Sequence, residues 1–287
     1  MLGAVLGDII GSCWEGSSCA DLPLPLVTPQ SRFTDDTVCT IAIADSLVGG
    51  ISPDQALRAW ARRYPNRGYG GSFYDWAHSD DAPPYNSFAN GGAMRVSAVA
   101  LAAQSEQEAL ELAAFTAGVT HNHEEGVAGA QAIAVAIWYA RTGVEPADIR
   151  ERLTRRFEYD LQRTVADRAS SYGFSTLASE TVPDALVAAL EATSYEGAIR
   201  NAIAIGGDSD TVACMAGGIA EALFGIPEHL AQAAQGKLSL EMWRVLEASY
   251  RKAQCPFPLR GTRPLVAPTA GSPGPKKWWG WFNRGQR

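Results

Sequence analysis

The sequence predicts an all-α protein. Almost every apolar stretch repeats at helical spacing, and alternating β-branched runs bounded by turns are nearly absent. One long stretch, Glu124 to Arg141, is apolar on nearly all sides, the pattern of a helix buried in the middle of a bundle.

Along the chain, Thr37 to Val48 reads as an apolar helix rich in small residues. Ser52-Pro53 starts the next, through Tyr64, because proline at the first helical position has a preset φ and needs no N–H partner. Ala93 to Gln104 and Gln107 to Ala117 follow, with Ser105 as the cap between them. Glu124 to Arg141 then carries Val127, Ile133, Val135, Ile137 and Trp138. Pro146 to Phe157, Val182 to Glu191, Tyr195 to Ile205, Thr211 to Phe224 and Leu238 to Ala253 complete the helices.

The stretch from Pro65 to Gly92 interrupts this rhythm with Gly68, Gly70, Gly71, Pro83, Pro84, Asn86, Asn90 and three tyrosines. A loop this long inside a compact helical domain is usually functional. Beyond about Pro256 the helical pattern gives way to Pro, Gly and Thr, and the chain ends in a basic-aromatic run beginning Lys276-Lys277-Trp278-Trp279. The expected organisation is one domain over 1–257, then a linker and tail over 258–287. For the tail, residues 272–287, a docking or membrane-interface peptide is one expectation. A tail packed on its own domain or disordered is the plainer and preferred one.

The 287 residues are 46% hydrophobic, enough for a sizeable core. A net charge of −7 argues against a nucleic-acid surface, which needs a basic patch to neutralise phosphates. Cys13, Cys19, Cys39, Cys214 and Cys255 form no CxxC pair, and Cys13, Cys39 and Cys214 read as small core residues in helical stretches. The N-terminal run lacks a basic signal-peptide region, is interrupted by Asp8, and no stretch is long and apolar enough to span a bilayer. A cytoplasmic enzyme is the expectation.

Two acidic clusters carry the chemistry: Thr34-Asp35-Asp36-Thr37 and Asp208-Ser209-Asp210-Thr211, each opening an apolar helical stretch. Carboxylate and hydroxyl oxygens suit Mg²⁺, Mn²⁺ or Ca²⁺. Either cluster alone reads most simply as a helix N-terminus with acids favoured by the dipole. If the two meet, burying so many carboxylates requires compensation, most simply by two cations about 3.5–4 Å apart. Gly206-Gly207 before the second cluster allows a tight turn close to a ligand. Asn90-Gly91-Gly92 before a helix offers backbone N–H groups to a phosphate, although glycine there is often only a turn.

Taken together, five motifs resemble the ADP-ribosylglycohydrolase family. They are Gly7-Asp8-Ile9-Ile10-Gly11-Ser12-Cys13-Trp14-Glu15, Phe33-Thr34-Asp35-Asp36-Thr37, Asn86-Ser87-Phe88-Ala89-Asn90-Gly91-Gly92-Ala93-Met94-Arg95, Thr120-His121-Asn122-His123 and Gly206-Gly207-Asp208-Ser209-Asp210-Thr211. They occur in the family's order up to about Pro227, leaving the tail outside. The resemblance implies a compact orthogonal multi-helix bundle with a divalent-metal cleft. Two cations, Mg²⁺ or Mn²⁺, would be held by Thr34, Asp35 and Asp36 from one side and Asp208, Asp210 and Thr211 from the other. It implies hydrolysis of a glycosidic bond to ADP-ribose, with Asp35 and Asp36 orienting water and Glu15 gating the cleft or acting near the scissile bond. Ser87, Asn90, Gly91 and Gly92 match the segment embracing the diphosphate, continued by Met94, and His121 matches a nucleotide contact. Arg95 reads equally as an ion-pair partner or a ligand. Tyr69 and Tyr85 read as adenine-stacking or loop-anchoring residues. Glu124-Glu125 stands where many relatives have proline after the second histidine, a change suited to a helix start.

The expected substrate is an ADP-ribosylated protein or a small ADP-ribose conjugate, with arginine as first-choice acceptor. O-linked acceptors (serine or O-acetyl-ADP-ribose) and a silent ADP-ribose-binding protein are alternatives. A metal-dependent phosphatase acting on a nucleotide diphosphate is a third class that paired aspartates and the NGG turn would permit.

Overall fold

The computed structural model describes residues 1–19, 25–171 and 173–258. These are helical apart from connecting loops and one isolated β-bridge, Ala89 to Leu177. The helices are α1 (Leu2–Gly11), α2 (Asp35–Gly49), α3 (Pro53–Arg63), α4 (Gly71–His78), α5 (Gly91–Met94), α6 (Ser97–Ala102), α7 (Glu106–Gly118) and α8 (Glu124–Arg141). They continue with α9 (Pro146–Phe157), α10 (Val165–Ser170), α11 (Ala178–Leu190), α12 (Tyr195–Ile205), α13 (Ser209–Phe224), α14 (Glu228–Gln235) and α15 (Leu240–Lys252).

Two helices form the axis of the fold. Every residue of α1 is buried, and so is α13 from Ser209 to Ala222. Gly3, Gly7 and Gly11 sit one helical turn apart on a single face of α1, and that face lies directly on the backbone of α13. A methyl group at Gly7 would stand 1.9 Å from the Ala213 carbonyl oxygen, and one at Gly11 would stand 2.6 Å from Asp210 Cα. Only glycine allows so close an approach. Tyr195 of α12 donates to the Gly3 carbonyl at 2.7 Å, while the Gly3 N–H donates to buried Glu221 of α13 at 2.8 Å. The contact therefore fixes α13 in rotation and height, and both acidic motifs inherit that register.

Around this pair pack α2, α8, α11 and α12. Glu124–Arg141 is the long interior helix that its apolar circumference predicts, with both glutamates in its first turn. Ser105 caps α7, accepting from the Glu108 N–H. Other boundaries differ from expectation. The stretch Ala93–Gln104 is two short helices, α5 and α6, separated by a turn at Arg95 and Val96. The helix expected from Val182 starts at Ala178 instead, with Pro183 inside it, a position where proline removes one backbone bond. The Pro65–Gly92 stretch contains α4, whose Phe73 and Trp76 are buried. Cys39 and Cys214 are buried, but Cys13 lies just beyond α1 and is exposed, its Sγ 3.6 Å from Ser31 Oγ. All five cysteines are unpaired. None of the described helices is long and apolar enough to cross a membrane. The expected tail lies, from residue 259, outside the described residues.

Candidate metal centre and substrate cleft

The two acidic motifs meet. Thr34 is the N-cap of α2, accepting from the Asp36 N–H through its hydroxyl, so Asp35 and Asp36 occupy the first helical turn. Asp208 is the N-cap of α13, with Asp210 in its first turn. Both helix starts open into one cleft of about 650 Å³, within the range of sites for drug-sized ligands. Thr34, Asp35, Asp36, Asp208, Asp210 and Thr211 all line it, as does Glu15.

Glu15 reaches this point because the turn after α1 is tied to the start of α13. The Gly16 N–H donates to the Gly207 carbonyl at 2.8 Å, and the Ser209 hydroxyl donates to the Trp14 carbonyl at 3.2 Å. Gly206 and Gly207 both have positive φ, 84° and 79°, which a side chain would strain. Carboxylate oxygens of Glu15, Asp208 and Asp210 consequently lie within 4.8 Å of one another.

Crowding changes the proton affinities. Burial, then repulsion from Asp210 and Asp35, pushes the Asp36 carboxyl well above the ordinary range. Burial and Asp208 push Asp210 up to about 9, and burial with Asp8 pushes Asp35 up to about 7. The Asp36 Oδ2 atom is buried and has no hydrogen-bond partner. An oxygen in that state is costly unless a cation or proton satisfies it. The donors are hard carboxylate and hydroxyl oxygens without sulfur or imidazole, so they fit a hard divalent cation.

Beneath the cleft lies Asp8 of α1, fully buried. Its Oδ2 accepts the backbone N–H groups of Thr34 at 3.0 Å and Thr37 at 3.1 Å, together with the Thr37 hydroxyl. Its Oδ1 accepts the Thr34 hydroxyl at 2.7 Å. Burial raises its pKa to about 6 against the lowering effect of these bonds.

The second half of the cleft is built from loop 86–90, which the β-bridge ties to residues 176–178. Asn90 N–H donates to the Thr176 carbonyl at 2.8 Å, and Ala178 N–H donates to the Phe88 carbonyl at 3.1 Å. Asn86 holds φ of 54°, a left-handed conformation asparagine tolerates, and its N–H donates to Asn122 Oδ1 at 2.8 Å. Asn90 Nδ2 donates to Asp208 Oδ2 at 2.7 Å, joining this wall to the acidic end. Ser87, Asn90, Gly91 and Met94 line the cleft. Gly92 does not; it is buried behind the wall, where an added Cβ would meet the His121 Cβ at 3.1 Å.

His121 lines the cleft and is buried, with Nδ1 2.8 Å from the Thr120 hydroxyl. Burial, and secondarily Arg95, lowers its pKa well below 6.5, so the ring is neutral. His123 instead caps α8, Nδ1 accepting from the Glu125 N–H at 3.2 Å. Arg95 has no carboxylate bound to it among the described residues. It donates to the carbonyls of Thr116 and Ala117 and to the Thr120 hydroxyl at 2.7 Å, a cation at the C-terminus of α7. Tyr85 lines the cleft, whereas Tyr69 stacks on Phe73 at 5.5 Å and donates to the Tyr64 carbonyl, anchoring the loop. Burial keeps the Cys39 thiol protonated and unreactive, although it too lines the cleft.

Several cleft residues have no role that the sequence assigns them. Phe88 and Phe174 are exposed at its rim, 49% and 55% accessible. Arg67 lies over the Phe33 ring at 3.8 Å, and its carbonyl accepts the Asp35 N–H at 2.9 Å. Gly68, with φ of 100°, covers Asp35: a Cβ there would stand 3.3 Å from Asp35 Oδ1. Asp8 had a signal, since Gly7 and Gly11 flank it at contact spacing on a helix.

Comparison with known proteins gives one consistent result. Residues 1–254 match the family model described as ADP-ribosylglycohydrolase. The chain is 28% identical over 319 residues to ADP-ribosylhydrolase ARH3 of Homo sapiens, covering 82% of this chain and 88% of that protein. It is 27% identical over 305 residues to ADP-ribosylhydrolase ARH3 of Danio rerio, covering 79% and 82%. An uncharacterized protein of Archaeoglobus fulgidus is 26% identical over 281 residues, covering 84% and 92%. Among solved structures, an ADP-ribosylglycohydrolase-related protein complex superposes with a TM-score of 0.66 at 25% identity, covering 87% of this chain and 95% of that one.

Proposed function

This chain belongs to the ADP-ribosylglycohydrolase family, and we propose that it hydrolyses the bond between ADP-ribose and an oxygen-linked acceptor with two divalent cations, Mg²⁺ or Mn²⁺. The observation that carries the reading is the meeting of two hard-donor sets from the starts of α2 and α13, with Asp36 Oδ2 left without a partner. Thr34, Asp35 and Asp36 would hold the cations from one side, and Asp208, Asp210 and Thr211 from the other. When bound, divalent cations would fix ribose hydroxyls and neutralise the carboxylates.

The chain's own residues supply the rest. Asp35, partly open to the cleft beneath Gly68, would take a proton from an attacking water at its Oδ atoms. Glu15, exposed at the mouth, would close over the sugar or hold the acceptor oxygen. Ser87, Asn90 and Gly91 line the wall that would carry the diphosphate, while neutral His121 can contact the nucleotide without adding charge. Gly92 would serve by admitting His121 to that wall. Phe88, Phe174 and Tyr85 give flat apolar surface for a base.

The acceptor departs from the arginine expected in sequence. Arg32 and Arg67 both line the cleft, so an arginine-linked conjugate would bring a third guanidinium into it. A neutral serine oxygen or acetyl ester meets no such repulsion. Five unpaired cysteines suit a reducing compartment such as the cytoplasm.

The test is release of ADP-ribose from matched serine-linked and arginine-linked peptides, with Mg²⁺ and with EDTA, followed by chromatography. Mg²⁺-dependent release from the serine conjugate is expected. Faster turnover of the arginine conjugate overturns the acceptor assignment, and EDTA-insensitive release overturns the cation assignment. AMP or phosphate as product would indicate a phosphatase instead.

A further inference from the structure

We infer that Asp8 is a positioning residue whose carboxylate aims the Thr34 hydroxyl oxygen at a cation, in addition to joining α1 to α2. The inference rests on the cation reading of the cleft. Thr34 Oγ1 has one proton and two lone pairs. The proton goes to Asp8 Oδ1 at 2.7 Å, and one lone pair takes the Asp36 N–H at 3.2 Å. One lone pair is left on a side chain that lines the cleft beside Asp35, Asp36 and Asp210. An ionised carboxylate is acceptor-only, so Asp8 turns the hydroxyl proton inward and keeps it off the cleft side. The outer-shell partner of a ligand thereby sets its orientation and basicity.

Replacing one atom would reverse this polarity. In Asp8→Asn the amide oxygen belongs at the Oδ2 position, which receives the N–H groups of Thr34 and Thr37 and the Thr37 hydroxyl. The amide NH₂ then faces Thr34 Oγ1, donates to it, and frees the threonine proton to point toward the cation. The flipped amide is worse, because its NH₂ would meet two N–H donors. The variant keeps shape and most bonds while occupying the lone pair the cation needs.

The experiment is Mn²⁺ titration by calorimetry and electron paramagnetic resonance, without substrate, on wild type, Asp8→Asn, Thr34→Val and the double variant. Asp8→Asn is expected to weaken Mn²⁺ binding about 10–100-fold with a native circular dichroism spectrum. In the Thr34→Val background it should cost little more. Thr37→Val breaks a bond to the other carboxylate oxygen and should lower Tm while keeping Mn²⁺ affinity within about threefold, an order-of-magnitude allowance. Unchanged affinity in Asp8→Asn, equal losses in both backgrounds, or a Thr37→Val loss as large as that of Asp8→Asn overturns the role and leaves Asp8 as a staple. Should Asp8→Asn fail to fold, the Mn²⁺-loaded wild-type crystal structure decides: Thr34 Oγ1 is expected at ligand distance from Mn²⁺ and hydrogen-bonded to Asp8. Thr34 Oγ1 away from the metal overturns the role. Wild type that binds no Mn²⁺ overturns the cation reading and this role together, whereas wild-type binding with an indifferent Asp8→Asn overturns the role alone.

Discussion

Removing divalent cations should make this protein's stability fall as pH rises, and Asp210 sets the scale. Its carboxyl is pushed from the ordinary 3.8 up to about 9 by burial and by Asp208. The folded, cation-free protein thus keeps a proton that the unfolded chain releases near pH 4. Stability is full below that point and is lost as pH climbs toward 9, because the folded state binds more protons than the unfolded one. The slope is about 1.36 kcal/mol per pH unit for one such group, so the interval from pH 5 to pH 9 costs about 5 kcal/mol. For a domain of this size that is a Tm decrease on the order of 10–20 °C. The assay is thermal unfolding in EDTA at pH steps from 5 to 9, repeated with saturating Mg²⁺ and with Asp210→Asn. Mg²⁺ should flatten the profile by replacing protons with cations. Asp210→Asn should make the fall shallower without metal, since buried Asp35 and Asp36 still carry raised proton affinities, make the cation-free protein more stable than wild type at pH 9, and abolish turnover. A wild-type Tm in EDTA that is constant or rises from pH 6 to pH 9 would refute the reasoning.

Gly7→Ala should destabilise the fold by at least about 3 kcal/mol in urea unfolding, since its Cβ would stand 1.9 Å from a backbone oxygen of α13; a wild-type midpoint would contradict the close helix contact. The His121 ring should stay neutral from pH 6 upward, because burial depresses its pKa; an NMR titration of its Cε1 proton with a midpoint at or above 6.5 would contradict that. Asn90→Ala removes the donor to Asp208 at 2.7 Å. A hydrogen bond to a charged group is worth roughly 1.5–3 kcal/mol, so ADP-ribose release should fall about tenfold or more; full activity would exclude Asn90 as the link between the two walls.

What the sequence made legible follows from how locally each feature is encoded. Thr34, Asp35 and Asp36 could be read because one N-cap and one helical turn present them together. Asp208 and Asp210 could be read because Gly206 and Gly207 announce the turn before them. Helices with strong ends, such as Pro146–Phe157 and Glu124–Arg141, carry their own boundaries. Asp8 was harder, since a single acid in an apolar run records nothing about which hydroxyls will surround it. Phe174 and Arg67 enter the cleft only through pairing and packing between distant segments, so no local pattern marks them. The turn that divides α5 from α6 is similarly unmarked, because Arg95 and Val96 are ordinary helix residues until the α7 carbonyls bind the guanidinium.

The glycine face of α1 explains why so much of the site depends on residues that touch no ligand. Gly3, Gly7 and Gly11 bring α1 onto α13 at backbone contact. The same helix carries Asp8, which grips the N-terminal turn of α2 through four hydrogen bonds. One rigid helix therefore sets α2 and α13 relative to each other, and hence sets the spacing of the two donor groups. Few loops contribute, so the acidic end is held at the precision of helix packing rather than loop motion. The opposite wall is a loop, tied by a β-bridge, by Asn90 to Asp208 and by the Asn86 and Ser87 N–H groups to Asn122 and Thr120. A rigid acidic end and a more adjustable aromatic rim are what a hydrolase needs if it must hold one sugar in fixed geometry while accepting acceptors of varied shape.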